Sequence, residues 1–201
     1  MNNTLKVLKF FVEHKNCSYS IRKIGELLEM SYKLVYKEVL TLQKEGVISV
    51  NIAGRAKMCS FNYKFSSRIV EVEEERKKEL FKNKDVKLVY DRLMDVKQSL
   101  FILLIFGSYA DKSCTKNSDI DICIITDDKS ISKKMNEILE ITPIRVHMNE
   151  FTTKEFSSML LTKKENIAHE IMKNNIILYG IENFYEMIRN AQLKENKRSR
   201  I

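Results

Sequence analysis

Three observations in the 201-residue sequence predict an α+β fold in two parts. The first third has helically spaced apolar residues and ends in two short strands joined by a glycine turn. The remainder alternates strands and helices. Charge divides in the same way, since residues 1–65 carry 11 Lys/Arg against 5 Asp/Glu and residues 66–193 carry 20 against 21. The first part is therefore expected to have an anionic partner.

The composition also excludes several classes of protein. No apolar run reaches the roughly 18 residues that a membrane-spanning helix needs, and charged residues interrupt every apolar stretch near the N-terminus. The four cysteines form no CxxC pair, which argues against a zinc site or a disulfide framework. We therefore expect a cytoplasmic protein with no membrane partner.

The first part is predicted to contain three helices and a hairpin. Ser20 and Ser31 stand where N-caps are expected, and Gly46 stands where the third helix should end. Ala53-Gly54-Arg55 supplies the hairpin turn. The predicted elements are helices at residues 4–13, Ile21–Leu28 and 32–45, followed by strands Val47–Asn51 and Lys57–Tyr63.

Three helices followed by a hairpin is the element order of a winged helix-turn-helix, which we assign to residues 1–65. In the third helix Val35, Val39 and Leu42 share the inward face. The residues expected to contact DNA are Tyr32, Lys33, Tyr36 and Lys37 on this helix, and Arg55 and Lys57 on the hairpin. The alternative is that these charges form a solvated surface and the domain docks a protein. The four outward residues of the helix include no Arg, Asn or Gln, so the sequence does not indicate which bases are read.

The second part begins with a charged helical linker at residues 66–85, continues as a domain at residues 86–193 and ends in a basic tail at residues 194–201. The tail is expected to be a solvated end that adds phosphate contacts. The predicted elements are a helix at Val86–Lys97, strands Leu100–Phe106 and Ile120–Thr126, a helix at Ser130–Leu139, a strand at Ile144–Met148, a helical region at residues 152–173, a strand at Ile176–Leu178 and a helix at residues 181–193.

A glycine-serine turn and a pair of aspartates carry the chemistry of this part. Gly107-Ser108 follows a buried strand, where glycine lets the backbone approach a phosphate and the serine hydroxyl can hold an oxygen. Asp119 and Asp121 stand at i and i+2 of the next strand, so they project from one face and can bind one divalent metal. The alternative is a chance Asp-x-Asp on the surface.

The run Gly107-Ser108-Tyr109-Ala110 followed by Ser118-Asp119-Ile120-Asp121-Ile122 resembles the signature of the DNA polymerase beta-like nucleotidyltransferase superfamily, in its minimal form. The combination with the winged helix is similar to proteins of archaeal type. The resemblance implies that Gly107 and Ser108 hold a triphosphate and that Asp119 and Asp121 are catalytic and bind Mg²⁺. The implied fold is a winged helix-turn-helix plus a small mixed-sheet nucleotidyltransferase domain with C-terminal helices.

The sequence departs from that family at two places. The family has arginine in the turn after Gly-Ser, where this chain has Asp111-Lys112, and Lys112 is expected to replace it as a point charge. Active members also place a third carboxylate on a later strand. Here the face turned to the site holds Arg145 and His147, whereas Glu150 has the wrong parity. His147 is either a neutral base or metal ligand, and Arg145 either holds a phosphate or, like His147 in the alternative, is an ordinary polar residue at a sheet edge.

Two principal functions remain open. The first is transfer of a nucleoside monophosphate from an NTP to an unknown acceptor, which includes protein, with Mg²⁺. The alternative is a DNA-binding transcriptional regulator whose transferase domain is degenerate and only senses nucleotide or dimerises. An intact acidic triad would favour the enzyme, and an Arg145–Asp salt bridge that closes the site would favour the regulator. A pure interaction scaffold leaves the motif without a purpose. A homodimer is expected for a winged helix that reads a two-fold site.

Overall fold

The computed structural model describes residues 2–96 and 100–198, with side chains as far as residue 193. The chain divides between Val72 and Glu73 into two compact units, here called unit 1 and unit 2. Of the predicted basic tail, the backbone of residues 194–198 belongs to the last helix, while its side chains and residues 199–201 lie outside the described residues. No helix in the described parts is long and apolar enough to cross a membrane.

Unit 1 contains three helices and a three-stranded antiparallel sheet in the order β1-β3-β2. Ser20 and Ser31 cap their helices by accepting hydrogen bonds from the backbone N–H groups of Lys23 and Leu34. The elements are α1 (Asn3–Glu13), β1 (Ser18–Ser20), α2 (Ile21–Leu28), α3 (Tyr32–Lys44), β2 (Ile48–Ala53), β3 (Ala56–Phe61) and the beginning of α4 (Ser67–Leu80).

The burial pattern of α3 decides which of its faces is available to a partner. Val35, Val39 and Leu42 are fully buried, which confirms the predicted inward face. Gly46 ends the helix region with a φ of +74°, a conformation that glycine adopts at little cost. The predicted helices and hairpin are confirmed, whereas the assignment of unit 1 as a winged helix-turn-helix stays a prediction. The short strand β1, which extends the sheet beside β3, was not predicted.

Unit 2 is built on a mixed four-stranded sheet in the order β6-β5-β4-β7. Strands β5 and β6 are parallel, while β4 is antiparallel to both β5 and β7. The α+β class is thus confirmed. The elements are α5 (Lys84–Met94), β4 (Ile102–Phe106), β5 (Ile120–Ile125), α6 (Lys129–Glu140), β6 (Val146–Phe151), α7 (Thr153–Leu160), α8 (Ile167–Lys173), β7 (Asn175–Tyr179) and α9 (Ile181–Arg198).

The alternation of side chains along β5 decides where its aspartates point. Ile120, Ile122 and Ile124 are buried in the core cluster that α5 and α6 cover. Residues of opposite parity therefore face the other side of the sheet, because successive side chains in a strand alternate. Cys123 is buried on that side of the sheet, and Asp121 is half-buried near the start of β5.

Several predicted boundaries are corrected by the structure. The region 152–173 is two helices, because Asn166 donates to the Met159 carbonyl and its side-chain oxygen caps α8. Strand β6 begins at Val146 rather than Ile144 and continues to Phe151. Helix α5 runs from Lys84 to Met94 rather than from Val86 to Lys97, and Lys97 itself lies outside the described residues. Helix α9 continues to Arg198, well beyond the predicted end at residue 193.

The segment interpreted as a linker, residues 66–85, contributes buried polar groups to unit 2. Glu73 on α4 is 0% exposed and accepts hydrogen bonds from Arg76 and from the Tyr185 hydroxyl, both at 2.6 Å. Arg76 also donates to the Asn175 carbonyl at 2.6 Å. The charged sequence predicted a helical linker, and the structure buries Glu73 and Arg76, which are stable there only because they are paired in this way.

Candidate functional site

The turn after β4 leaves room for a carboxylate. Gly107 follows Phe106 with a φ of +64° and begins a short 3₁₀ turn, and its carbonyl accepts from Ala110 N and Asp111 N. A Cβ added at Gly107 would lie 2.8 Å from Asp121 Oδ2, closer than real Cβ atoms approach other heavy atoms. Glycine is therefore required here by its backbone conformation and by the space that Asp121 occupies.

The two aspartates lie at the start of β5, which pairs with the end of β4. Asp121 is opposite Phe106 in the β4–β5 ladder, directly before the Gly107 turn. Its side chain is 30% exposed, whereas that of Asp119 is 51% exposed. Both carboxylates are thus accessible to solvent beside the glycine-serine turn, which is the juxtaposition that the motif spacing predicts.

Strand β6 brings two basic residues to this pair. His147 is the register partner of Asp121, and its Nδ1 lies 3.4 Å from Asp121 Oδ1, an ion pair only when the imidazole is protonated. Arg145 Nε lies 3.1 Å from Asp119 Oδ1, and its Nη2 donates to the Asn117 carbonyl at 2.7 Å. The predicted orientation of Arg145 and His147 toward the aspartates is confirmed.

Glu150, the acid nearest in sequence, lies on the opposite side of the sheet. It is the register partner of Ile124, a core residue, and it lines a surface cavity with α6 residues that include Lys129 and Lys133. The parity argument about Glu150 is confirmed. Among the described residues no group of three or more His, Cys, Asp or Glu side chains is arranged to hold a metal ion.

The donor set nevertheless fits a hard divalent cation that also binds phosphate. Mg²⁺ in proteins is commonly held by one or two carboxylates, with the remaining positions taken by substrate phosphates and water. Asp119 and Asp121 can supply those carboxylates, and an oxygen-only pair of this kind suits Mg²⁺ better than a softer metal.

The loop between the turn and β5 folds back on the serine of the motif. The backbone N–H groups of Ser113 and Cys114 both donate to the Ser108 carbonyl, at 3.0 and 3.1 Å. The Asp111 carboxylate accepts hydrogen bonds from the side chain and the backbone of Ser113, and these two bonds lower the pKa of the Asp111 carboxyl. Lys112 lies on the exposed part of this loop with a φ of +66°. Ser108 is half-buried next to Gly107.

Tyr109 connects the turn to the residue before Asp119. Its hydroxyl lies 3.4 Å from the Ser118 carbonyl, to which it donates. Burial raises the pKa of the Tyr109 hydroxyl, and the charges of Cys114, Asp85 and Asp119 add to the rise. The tyrosine therefore remains a neutral hydrogen-bond donor near neutral pH and holds the two ends of the loop together.

In unit 1, the residues predicted to contact DNA form a partly connected surface. Tyr32 and Tyr36 stack with ring centroids 6.0 Å apart, and Lys57 on β3 donates to the Tyr36 hydroxyl at 2.9 Å. This hydrogen bond raises the pKa of Lys57. Lys33 and Lys37 are exposed along α3, and Arg55 is exposed at the hairpin turn.

A surface groove on α3 includes residues that the sequence interpretation missed. Leu40 and Lys44 line it together with Lys33, Tyr36 and Lys37. The sequence contains the pattern that would have identified them, because positions 33, 37, 40 and 44 have the spacing of residues on one face of a helix. The third helix therefore presents three lysines, Lys33, Lys37 and Lys44, to solvent on one side.

Comparisons with known proteins give a family-model match within unit 2 and a relative that matches part of the chain. Residues 91–183 match the family model described as "Polymerase beta, Nucleotidyltransferase". The Methanocaldococcus jannaschii protein named "Putative protein adenylyltransferase" is 36% identical over 83 residues, which is 41% of this chain and 58% of that protein. The chain thus covers less than two thirds of this relative. No solved structure matches the chain. Residues 91–183 are accordingly a nucleotidyltransferase-like domain.

Proposed function

We propose that unit 2 transfers a nucleoside monophosphate from an NTP to an acceptor hydroxyl, with pyrophosphate as the leaving group. The observation that carries this proposal is the close approach of Gly107 to Asp121, with Asp119 two positions earlier in the chain. In this reaction the acceptor oxygen attacks the α-phosphorus, the bond to the β-phosphate oxygen breaks and the acceptor proton is released. The name of the M. jannaschii relative favours ATP as donor and a protein as acceptor.

The roles follow from the positions of the side chains. Asp119 and Asp121 would bind Mg²⁺, which supplies charge neutralisation of the triphosphate as the α-phosphate is attacked. Gly107 leaves the backbone open to a phosphate, and the Ser108 hydroxyl can donate to its oxygens. Lys112 is a cation of the exposed loop after the turn.

The Arg145–Asp119 ion pair is the observation against catalysis, and its magnitude decides how much it counts. Both side chains are more than half exposed, and exposed pairs of this kind contribute about 0–1 kcal/mol. A ligand bound with micromolar affinity gains about 8 kcal/mol. The pair is therefore too weak to keep a metal-bound triphosphate out of the site.

The first experiment is a calorimetric titration of the protein with each NTP, with and without Mg²⁺. The unchanged protein should bind at least one NTP in a metal-dependent manner. The double variant Asp119→Ala, Asp121→Ala should lose that binding, whereas Asp91→Ala, which removes an exposed carboxylate from α5, should keep it. Failure of the unchanged protein to bind any NTP would contradict the proposal.

A second candidate function for unit 2 is nucleotide sensing without transfer, in a transcriptional regulator. It is favoured by the ion pair between Arg145 and Asp119. It is also favoured by His147 opposite Asp121, at a position where a third carboxylate would complete an acidic triad. Incubation with ATP labelled at the α-phosphate separates the two functions. Covalent label on a protein or other acceptor supports transfer, while metal-dependent binding without label on any acceptor offered supports sensing.

We propose further that unit 1 is a winged helix-turn-helix that binds DNA, as a homodimer if the site is two-fold symmetric. Support comes from the exposed Lys33, Lys37 and Arg55 and from the Tyr36–Lys57 contact that ties α3 to the hairpin. Substituting Lys37→Ala and Arg55→Ala together should weaken binding at every sequence. The slope of log affinity against log salt should fall by about 1.8 if both contact phosphates. An unchanged slope would favour a protein-docking role.

A further inference from the structure

Arg145 has more hydrogen-bonding capacity than its contacts use. A guanidinium has five N–H donors and remains charged at any pH that proteins tolerate. Within the described residues, Arg145 Nε contacts Asp119 and Nη2 donates to the Asn117 carbonyl. The side chain is 69% exposed. The other donors therefore face the solvent beside the two carboxylates, where a nucleotide would have to enter.

The charge of the site makes a second cation necessary. Asp119 and Asp121 are acidic, and a triphosphate carries several negative charges, so a single divalent cation leaves repulsion between ligand and site. His147 carries a charge only when protonated. Lys112 is a point charge on an exposed loop, whereas Arg145 already contacts one of the two carboxylates.

We propose that Arg145 binds the triphosphate of the incoming nucleotide, and that its contact with Asp119 is exchanged for phosphate when the divalent cation binds Asp119. This inference rests on the proposed nucleotide site. The planar fork of a guanidinium matches two phosphate oxygens at once, which an ammonium does not do.

The backbone at Arg145 is anchored while its side chain can move. The Arg145 carbonyl accepts from Ile120 N at 3.0 Å, at the start of the β5–β6 pairing. The exchange therefore needs only a rotation of an exposed side chain between two anionic partners. No rearrangement of the sheet is required, and the weak, solvent-exposed ion pair costs little to break.

The experiment uses the full chain and four variants: Arg145→Ala, Arg145→Lys, the Asp119→Ala, Asp121→Ala double variant, and Arg189→Ala as a control at an exposed arginine of α9. Binding of ATP in the presence of Mg²⁺ is measured by calorimetry, and binding of Mn²⁺ alone by electron paramagnetic resonance. Circular dichroism establishes that each variant is folded.

Arg145→Ala should weaken ATP binding by about tenfold or more, the loss expected for a charge-assisted hydrogen bond. The same variant should bind Mn²⁺ alone as tightly as the unchanged protein or more tightly, because Asp119 loses a competitor. Arg145→Lys should recover part of the ATP affinity, and Arg189→Ala should bind ATP normally.

Four outcomes would overturn the proposal. Tighter binding of both ATP and Mn²⁺ by Arg145→Ala would mean that Arg145 blocks Asp119 and does not bind the triphosphate. Weaker binding of both would make it a structural support for the loop at Asn117. If the unchanged protein binds no ATP, the proposed function fails together with this inference. Binding that the aspartate variant loses and Arg145→Ala retains removes the Arg145 inference alone.

Discussion

In unit 1 the exposed lysines of α3 are spread over about three helical turns, whereas in unit 2 the acidic residues of the site lie two positions apart, one directly before β5 and one within it. A spread set acts through its summed charge, so a single substitution weakens binding by a fraction. The aspartate pair acts through the position of each oxygen, so either substitution should abolish metal binding. Lysines that act through their summed charge and carboxylates that act through fixed oxygen positions thus predict different sensitivity to mutation in the two units.

Two glycines make the comparison at the level of the backbone. Gly54 in the hairpin of unit 1 and Gly107 in unit 2 have similar φ values of +60° and +64°. A Cβ at Gly54 would meet nothing within 4 Å, whereas one at Gly107 would meet the Asp121 carboxylate. Gly54 is needed only for the backbone conformation of its turn, whereas Gly107 also leaves space for the Asp121 carboxylate.

The largest expected effect concerns the one buried glutamate that each unit contains among the described residues. Glu73→Ala removes the carboxylate to which Arg76 and Tyr185 donate, which should destabilise unit 2 by about 3–5 kcal/mol, because it breaks a buried ion pair. Glu38→Ala in unit 1 removes an acceptor for the neutral Thr4 hydroxyl and should cost about 1 kcal/mol.

Peptide-resolved hydrogen exchange with a urea series measures these two losses separately. Protection in β4, β5 and β7 should fall in Glu73→Ala, with a smaller fall in Tyr185→Phe. If Glu73→Ala and Glu38→Ala lower the free energy of unfolding equally, the buried ion pair of unit 2 contributes no more than the single hydrogen bond from Thr4 to Glu38.

The next effect separates the two glycines. Gly107→Ala and Gly54→Ala should each cost about 1–2 kcal/mol, because alanine at positive φ is strained. Only Gly107→Ala should also displace Asp121, and we expect its metal-dependent affinity for ATP to fall at least about tenfold. Calorimetry on both variants checks this, and normal ATP binding by Gly107→Ala would show that the close approach to Asp121 has no role in the site.

The smallest effect distinguishes the helix caps of the two units. Helix α7 begins with a capping box in which the Thr152 backbone and hydroxyl donate to Glu155, and these hydrogen bonds lower the pKa of Glu155 from its ordinary 4.5. A lowered pKa contributes stability above the ordinary value, and that contribution is lost as pH falls through the value in the folded state. The caps at Ser20 and Ser31 have Lys23 and Leu34 in the corresponding position, so no acid titrates there.

Substituting Glu155→Gln should therefore lower the melting temperature slightly at pH 7, and the difference from the unchanged protein should shrink as pH falls below 4.5. Ser20→Ala should cost about 1 kcal/mol with no such pH dependence. Thermal unfolding at several pH values makes both measurements. A difference for Glu155→Gln that stays constant with pH would contradict the capping role of its charge.

The sequence by itself determined the features that depend on neighbours within about one helical turn or on strand alternation. Ser20 and Ser31 marked the starts of helices, the spacing of Val35, Val39 and Leu42 gave the inward face of α3, and alternation placed Glu150 away from the aspartates. These inferences succeeded because the interactions concerned are local.

Only the tertiary structure decided which distant residues meet. The parallel pairing of β5 with β6 sets His147 opposite Asp121 and brings Arg145 to Asp119. The sequence of either segment alone does not specify the partner strand or the register of this pairing. Glu73 meets Tyr185 across 112 positions, so a helix interpreted as a charged linker contributes a buried carboxylate to unit 2. Burial of such a charge depends on partners from other elements, which local sequence patterns do not specify.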